Sequence, residues 1–551
     1  MPDRPTGRHI TLQHWVGGVL LISALLTGMV TRCLWLDLRV VHGDEANQAV
    51  KTARLLEGET YRYDPSEHHG PTLYFLTVPL LRLAGATTLA DTEISQYRLV
   101  PALAGTLLVG VGGVLAWSCA GPFAGGTAAW FLVLSNGVTF YSRYYIQEVL
   151  LTLFVTAAAL ALARLWRNPR GHLSWLVLGI ATGLAHATKE TVVYFLFTGL
   201  VSFVATWAYG HPWNQVDTPS ARPGASRISA RNVWGGVTLA LASAVVVSGL
   251  FYTSFLTYLP GAWRAFTAYF TYLQRAGGQG SSGMHDKPWY YYLYLLTWYQ
   301  PMAGPRWSEA PVLALATIAG IDAFVGRQPA SGGSQETDRR VVRFLFLWTV
   351  LSFGAFSLTP YKTPWNILTP LAWCCALAGV GAARVAVMCG RLWKPAVAVG
   401  IAITLAAMAW EARQAWLGNV VYPADARNPY VYAHTSSAIR KLEERIRDLS
   451  ALHPDGQDMP VYVVRLNGDY WPLPWYLREL RRVGYWTRVP DSLPVPVIIA
   501  GSEVAGALAD KLGDRYFSET QALRPGVLLR VFIRRDLWDQ FIATRNTGSG
   551  R

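Results

Sequence analysis

The chain has 551 residues, 52% hydrophobic and 15% charged, with a mean hydropathy of +0.23; a soluble domain carries roughly 25% charged residues, so a wholly soluble protein is excluded. The net charge of +14 comes from 48 Lys plus Arg against 34 Asp plus Glu, but the arginines lie mostly in short loops between apolar runs, which excludes a nucleic-acid face and points to membrane topology. The five cysteines, odd in number and set in or beside apolar runs, show no metal spacing and no disulfide framework.

In chain order, apolar runs near the ~20 residues that cross a bilayer occupy 12–36, 98–119, 122–141, 147–166, 173–189, 191–209, 234–259, 308–326, 341–360, 365–388 and 395–416. The first follows Arg4, Arg8 and His9 and has no small-residue cleavage site after it. It reads as an uncleaved anchor. With the N-terminus cytoplasmic, the inner loops hold Arg164, Arg167 and Arg170; Arg222, Arg227 and Arg231; Arg327, Arg339, Arg340 and Arg343; and Arg384, Arg391 and Lys394. The short outer connections hold only Arg143, Lys189 and Lys362. This agrees with the positive-inside rule and predicts a multi-pass plasma-membrane protein with residues 1–418 in the membrane body.

Two outer loops are long. Residues 37–97 contain a surface helix after Asp44 and an apolar segment opened by Pro71. Residues 260–307 combine a Gly/Ser stretch, expected to be mobile, with a Trp/Tyr run suited to an interfacial helix. The tail, 419–551, changes character. "SSAIRKLEERIRDLSAL" has helical spacing, "PVYVVRL", "VPVIIAG" and "GVLLRVFI" read as strands, and "WYLRELRRVG" and "SEVAGALADKLG" read as helices between them. Alternating strands and helices predict an extracytoplasmic α/β domain. No Gly-rich phosphate loop follows a strand, so nucleotide binding is not indicated.

Charged residues at span ends are costly to place, and one face of the membrane collects many of them. They are Asp44 and Glu45; His68 and His69; Arg143 and Glu148; His186, Lys189 and Glu190; and Lys362. Snorkelling explains lysine and arginine but not the carboxylates. Each has a plainer alternative. Asp44 would cap the helix that follows and Glu45 would favour its dipole. Glu148 would pair with Arg143 or start a span, Lys362 would snorkel, and His42, His68 and His69 would be ordinary loop residues. Lys189 and Glu190 are adjacent, so on one helix they would not face each other, and two separate partners are expected. A metal ion held by the histidines and carboxylates fits the residue types, but no tight ligand spacing supports it. Together, a carboxylate base, cations for a departing phosphate and a membrane-embedded body suggest group transfer from a lipid phosphate at the outer leaflet.

The motifs "HGDEA" after the first span, "SRYYIQE" and "ATKET" resemble the GT-C membrane glycosyltransferases, in particular the protein O-mannosyltransferases (glycosyltransferase family 39-like) and the lipid A aminoarabinose transferase. "HGDEANQAVKTARLLEGETYRYDPSEHHGPTLYF", "PYKTPWN", "NPYVYAHTS" and "NGDYWPLPWYLR" look more narrowly like the flippase-activity-associated subfamily first named from archaeal N-glycosylation. The resemblance implies a polytopic α-helical membrane fold with a soluble α/β domain. It implies a polyprenyl-phosphate-sugar donor and an acceptor on a protein, lipid or glycan. Asp44 takes the place of the family's catalytic aspartate, with Glu45 beside it. Glu148 takes the second acidic position, commonly Asp in relatives. Lys189 falls where relatives place a cation near the donor phosphate, and topology adds Arg143 and Lys362. His42, His68, His69 and Glu190 are left as acceptor or metal contacts. No organic cofactor is implied, and a divalent cation is left open. The rival reading is a flippase or flippase accessory that binds lipid-linked sugars without a base.

Overall fold

The computed structural model describes residues 12–66, 69–210, 230–276, 283, 285–326 and 337–548. The expected Gly/Ser stretch near 277–282, His68, Arg222, Arg227 and Arg327 lie outside them. The chain divides into two compact units, Met1–Leu36, Thr60–Leu76 and Arg98–Tyr422 forming one and Asp37–Glu59, Thr77–Tyr97 and Pro423–Arg551 the other. The expected boundary at 418/419 therefore misses two segments of the first outer loop that cluster with the tail.

The helices in chain order are α1 (Leu12–Cys33), α2 (Gly43–Leu56), α3 (Thr72–Leu83), α4 (Ile94–Ala120), α5 (Pro122–Leu134), α6 (Asn136–Tyr141), α7 (Glu148–Arg167), α8 (His172–His186), α9 (Val192–Gly210) and α10 (Ala230–Tyr252). They continue with α11 (Pro260–Ala276), α12 (Tyr291–Thr297), α13 (Ala310–Val325), α14 (Arg339–Leu358), α15 (Leu368–Leu392), α16 (Val397–Trp416), α17 (Ile439–Leu452), α18 (Leu473–Tyr476), α19 (Ser502–Leu512) and α20 (Arg535–Gly548). Among the described residues, eight helical segments are long and apolar enough to cross a membrane. The chain is a multi-pass membrane protein.

Three of the eleven expected spans come out shorter. The run 122–141 breaks at Ser135, which ends α5 and caps α6 by accepting from the Val138 N–H. Helix α8 has 15 residues and α13 has 16. At 1.5 Å per residue, each falls short of a ~30 Å hydrocarbon core.

In the first unit α15 is the central helix, packed on α5, α7, α13, α14 and α16. Its residues Leu368–Ala382 are buried throughout. Small residues let neighbours approach: a Cβ on Gly381 would lie 1.9 Å from the Leu315 carbonyl oxygen of α13, and one on Gly379 2.4 Å from that of Ala124 in α5. Dispersion contact at close backbone approach is what holds helices together in lipid, where burial of apolar surface gives no advantage.

The second unit carries a five-stranded sheet built from β1 (Val461–Val464), β2 (Val483–Trp486), β3 (Val497–Gly501), β4 (Tyr516–Arg524) and β5 (Val527–Arg534), in the order β2-β1-β3-β5-β4. β1 runs parallel to both neighbours, with Val461 opposite Val483 and Val497, whereas β5 is antiparallel to β3 and β4. Val464, Ile498, Ala500 and Phe532 form a core with Val504, Leu508 and Leu512 of α19. Ile439, Leu442, Ile446 and Leu449 make the buried stripe of α17, and α17 packs on α20.

The helix expected over "WYLRELRRVG" is absent. Only Leu473–Tyr476 is helical, and its last residues join "VGYW" as β2. The free edge of β1 takes up these aromatic and β-branched residues, so tertiary pairing overrides the local pattern.

Candidate active site

The first candidate element is the start of α2, in the second unit. His42 is its N-cap: ring Nδ1 accepts from the Asp44 N–H at 3.0 Å. Nε2 lies 3.0 Å from the Tyr432 carbonyl oxygen. One nitrogen accepts and the other donates to a carbonyl, so the ring is the neutral Nε2–H tautomer. His434 stacks on it with centroids 5.3 Å apart. Both nitrogens of His42 are thus engaged in hydrogen bonds.

Glu45 completes the capping box. Its Oε2 accepts from the His42 N–H at 3.2 Å, and the residue is fully buried. The Asp44 carboxylate does neither task, contrary to the plainer expectation. Its side chain is 51% exposed, with His42 Nδ1 3.8 Å away. It sits at the positive end of the α2 dipole and near enough to Arg524 for their charges to interact. A solvent-reached carboxylate is the result.

The second element is the turn between α8 and α9, in the first unit. Lys189 and Glu190 take separate partners there. Lys189 Nζ donates to Glu148 Oε1, both side chains being nearly buried. Glu148 is the first residue of α7, where a carboxylate favours the helix dipole. Its other oxygen, Oε2, is buried with no hydrogen-bond partner. Both side chains border a narrow crevice lined also by Thr152, Thr191, Asn366 and Thr369.

Glu190 turns the other way. Oε1 accepts from the Tyr63 hydroxyl at 3.0 Å, and Oε2 lies 2.9 Å from His69 Nδ1. Burial raises its pKa, but the His69 charge and these hydrogen bonds outweigh burial and leave it below the usual carboxylate range. The segment bearing His69 is stitched to the turn. Thr72 donates its N–H to the Ala187 carbonyl at 3.2 Å, and its hydroxyl bonds that of Thr188 at 2.7 Å. A Cβ on Gly70 would lie 2.2 Å from the Ala187 oxygen, so only glycine fits.

Arg143 and Lys362 are otherwise engaged. Arg143 donates to the Thr31 and Trp35 carbonyls at 2.5 and 2.8 Å, and Arg98 donates to the Leu36 carbonyl at 2.6 Å. The pair caps the C-terminal end of α1, which is where cations favour a helix. Lys362 Nζ donates to the carbonyls of Lys287 and Thr359 at 2.9 and 2.5 Å. Burial holds its ammonium below the ordinary lysine range, opposed by Asp286. Both cations hold backbone carbonyls, so binding a phosphate would require exchanging those partners.

Several buried polar residues were not singled out in the sequence. Tyr63 was readable from the alternation Tyr61-Arg62-Tyr63, buried-exposed-buried. Glu309, whose Oε1 accepts from the Gly137 N–H at 2.9 Å, lies near enough to the fully buried Glu411 of α16 for their charges to interact. The signal that could have found Glu411 is its place as an acid in an otherwise apolar run. Among the described residues no group of three or more His, Cys, Asp or Glu converges as metal ligands.

A multi-pass helical body followed by a small sheet is a fold this chain shares with solved structures. ArnT from Cupriavidus metallidurans bound to undecaprenyl phosphate superposes with a TM-score of 0.62 at 17% identity, covering 96% of this chain and 99% of that one. Archaeal oligosaccharyltransferase AglB from Archaeoglobus fulgidus, in complex with an inhibitory peptide and a dolichol phosphate, gives 0.53 at 13% identity over 92% of this chain and 73% of that one. Residues 70–220 match the family model described as dolichyl-phosphate-mannose-protein mannosyltransferase. Undecaprenyl phosphate-alpha-4-amino-4-deoxy-L-arabinose arabinosyl transferase 1 of Pseudomonas fluorescens is 26% identical over 215 residues, 38% of this chain and 32% of that protein. Protein O-mannosyltransferase 1 of Drosophila pseudoobscura pseudoobscura is 32% identical over 117 residues, 21% of this chain and 13% of that one. The matched segments thus span a third or less of these curated relatives.

Proposed function

We propose that this chain transfers a sugar from a polyprenyl-phosphate donor to an acceptor hydroxyl at the extracytoplasmic face, with inversion at the anomeric carbon. Asp44 is the general base. It takes the proton from the acceptor oxygen as that oxygen attacks C1 of the sugar. The lipid phosphate leaves with the bond's electron pair, and Lys189 stabilises its charge by exchanging Glu148 for the phosphate. Glu45 is a positioning residue that holds the turn on which Asp44 sits. The acceptor belongs to a protein, lipid or glycan, and the α/β portion of the chain helps select it. Donor and acceptor classes are inferred from relatives named for arabinosyl and mannosyl transfer and from fold neighbours holding undecaprenyl or dolichol phosphate. A divalent cation is not required by this scheme.

The observation that carries the proposal is the division of labour at α2. His42 and Glu45 do the capping, which leaves the Asp44 carboxylate uncommitted to the cap and accessible. The test is transfer from a labelled polyprenyl-phosphate sugar by membranes carrying wild type or Asp44→Asn. Asp44→Asn should lower kcat by at least about 10²-fold, the usual contribution of a positioned base. Equal transfer by the two proteins would remove Asp44 from the mechanism.

A further inference from the structure

The Glu190–His69 pair has no task in the scheme above, yet it is built like an acid–base group. Glu190 is nearly buried, and the His69 side chain is 35% exposed. The ionised carboxylate lies 2.9 Å from His69 Nδ1, so Nδ1 carries a hydrogen in both ring states. Nε2 is then an acceptor in the neutral ring and a donor in the imidazolium. A third group orients the carboxylate. Burial and the charge of Glu190 push the Tyr63 hydroxyl far above its ordinary range, so it stays protonated and donates to Glu190. Imidazole oriented by a buried carboxylate that is itself oriented by a donor is the arrangement of a positioned proton carrier.

The surroundings do not compete for that role. On the segment of His69 itself, the Tyr61 hydroxyl lies 3.5 Å from the His69 carbonyl oxygen and is pushed well above its ordinary range by burial. Tyr74 of α3, Tyr252 of α10 and Tyr269 of α11 lie near enough to Glu190 for its charge to act on their phenols. His186 of α8 also faces Glu190, with its Nδ1 2.6 Å from the Ser248 hydroxyl. Arg264 of α11 is directed to the Tyr63 carbonyl at 3.3 Å. The lock between Gly70, Thr72 and residues 187–188 fixes the ring's position. Lys189, assigned above to the donor phosphate, is the next residue on that same turn.

We propose that His69, oriented by Glu190, serves the phosphate end of the donor, its Nε2–H bonding the phosphate and giving up its proton to the oxygen that leaves C1. This rests on the glycosyltransferase reading. The C1–O bond breaks with its electron pair on the phosphate oxygen, which takes the proton from Nε2. The acceptor oxygen forms the new bond to C1 and loses its proton to Asp44. Asp44 and His69 then return to their starting states by exchange with bulk water. His69 is the catalytic residue of the pair, and Glu190 is a positioning residue.

The test uses the purified full chain with undecaprenyl phosphate alone as probe, at pH 6 and pH 8. His69→Asn keeps a donor for Glu190 in the place of Nδ1 and lacks Nε2, so the fold is spared. Wild type should bind the lipid more tightly at pH 6 than His69→Asn does by about tenfold, the worth of one charge-assisted hydrogen bond, and the two should converge at pH 8. In sugar transfer, His69→Asn should lose a limb of the kcat–pH profile. Glu190→Gln should lower kcat with the donor KM held, and Glu190→Asp should restore part of it. Identical binding and identical pH profiles in wild type and His69→Asn overturn the proposal. Should His69-dependent lipid binding appear without sugar transfer from any donor, the glycosyltransferase reading falls and the phosphate contact stands.

Discussion

Two adjacent acids, Asp44 and Glu45, do different work because of which way a helix start turns them. Glu45 points back to the His42 N–H and is buried; Asp44 points outward. Substitutions should separate these roles. Glu45→Ala removes half of the capping box and should cost about 1 kcal/mol of stability, within the 0.5–2 typical of lost caps, seen as a lowered Tm in detergent. Asp44→Asn should leave Tm nearly unchanged while abolishing transfer; a comparable fall in Tm for both would show that Asp44 is structural. Glu190 adds a pH signature. Its folded pKa is depressed despite burial, because of His69 and Tyr63. Its stabilisation is therefore complete above the ordinary carboxylate range, near pH 4.3, and is lost as pH falls through the lower folded value. Glu190→Gln should be less stable than wild type at pH 7 by about 1.5–3 kcal/mol, the range for a hydrogen bond to a charged group, and the gap should narrow as pH falls below the ordinary carboxylate range. A gap independent of pH would place Glu190 outside the ionised pair. The candidate acids were visible in the sequence because carboxylates are rare at span ends. Their separate roles were not, since histidine is an uncommon cap and nothing in "HGDEA" says which acid turns back.

At the scale of elements, glycine spacing decides how close helices come. Gly381 of α15 faces the backbone of α13, and backbone cannot give way as a flexible side chain can. Gly381→Ala should destabilise the protein by about 1–3 kcal/mol, the usual cost of overpacking. Gly354→Ala in α14, where a Cβ meets nothing within 4 Å, should be neutral or stabilise by about 0.5–1 kcal/mol through the helix propensity of alanine. Thermal unfolding of the two variants in one detergent makes the comparison; equal shifts would deny close packing at Gly381. Hydropathy located these helices because their apolar runs are long, but it could not see the break at Ser135, where a side-chain cap competes with the helix. In the sheet, β3 and β5 were legible as apolar runs. β2 was hidden inside an apparent helix, since its partner is the edge of β1 some twenty residues earlier, and β4 carries too many polar residues to stand out.

For the whole molecule, apolar runs followed by a mixed α/β tail suggested a multi-pass membrane body with a soluble domain, whereas the resemblance to the GT-C enzymes rested on "HGDEA", "SRYYIQE" and "ATKET". The grouping of residues 37–59 and 77–97 with the tail was not readable, because long-range packing leaves no local periodicity. Sidedness follows from charge and parity together. Arg164, Arg167 and Arg170 flank the α7–α8 connection, and Arg384, Arg391 and Lys394 flank that between α15 and α16. The cations assigned to the opposite face, Arg143, Lys189 and Lys362, are buried and bonded. Parity is the delicate part. If the shorter segments α5–α6, α8 and α13 all cross, the number of crossings is odd and the tail lies opposite the N-terminus. If all three fail to cross, it is even and the tail shares the N-terminal side. In a cysteine-free background, Asp491→Cys in the tail and Arg170→Cys between α7 and α8, both exposed positions, distinguish the cases. A membrane-impermeant maleimide should label Asp491→Cys in right-side-out vesicles and Arg170→Cys only after permeabilisation. Protection of both until permeabilisation would mean that one of α8 and α13 stays on one face, and the tail could then take no part in choosing an outer acceptor.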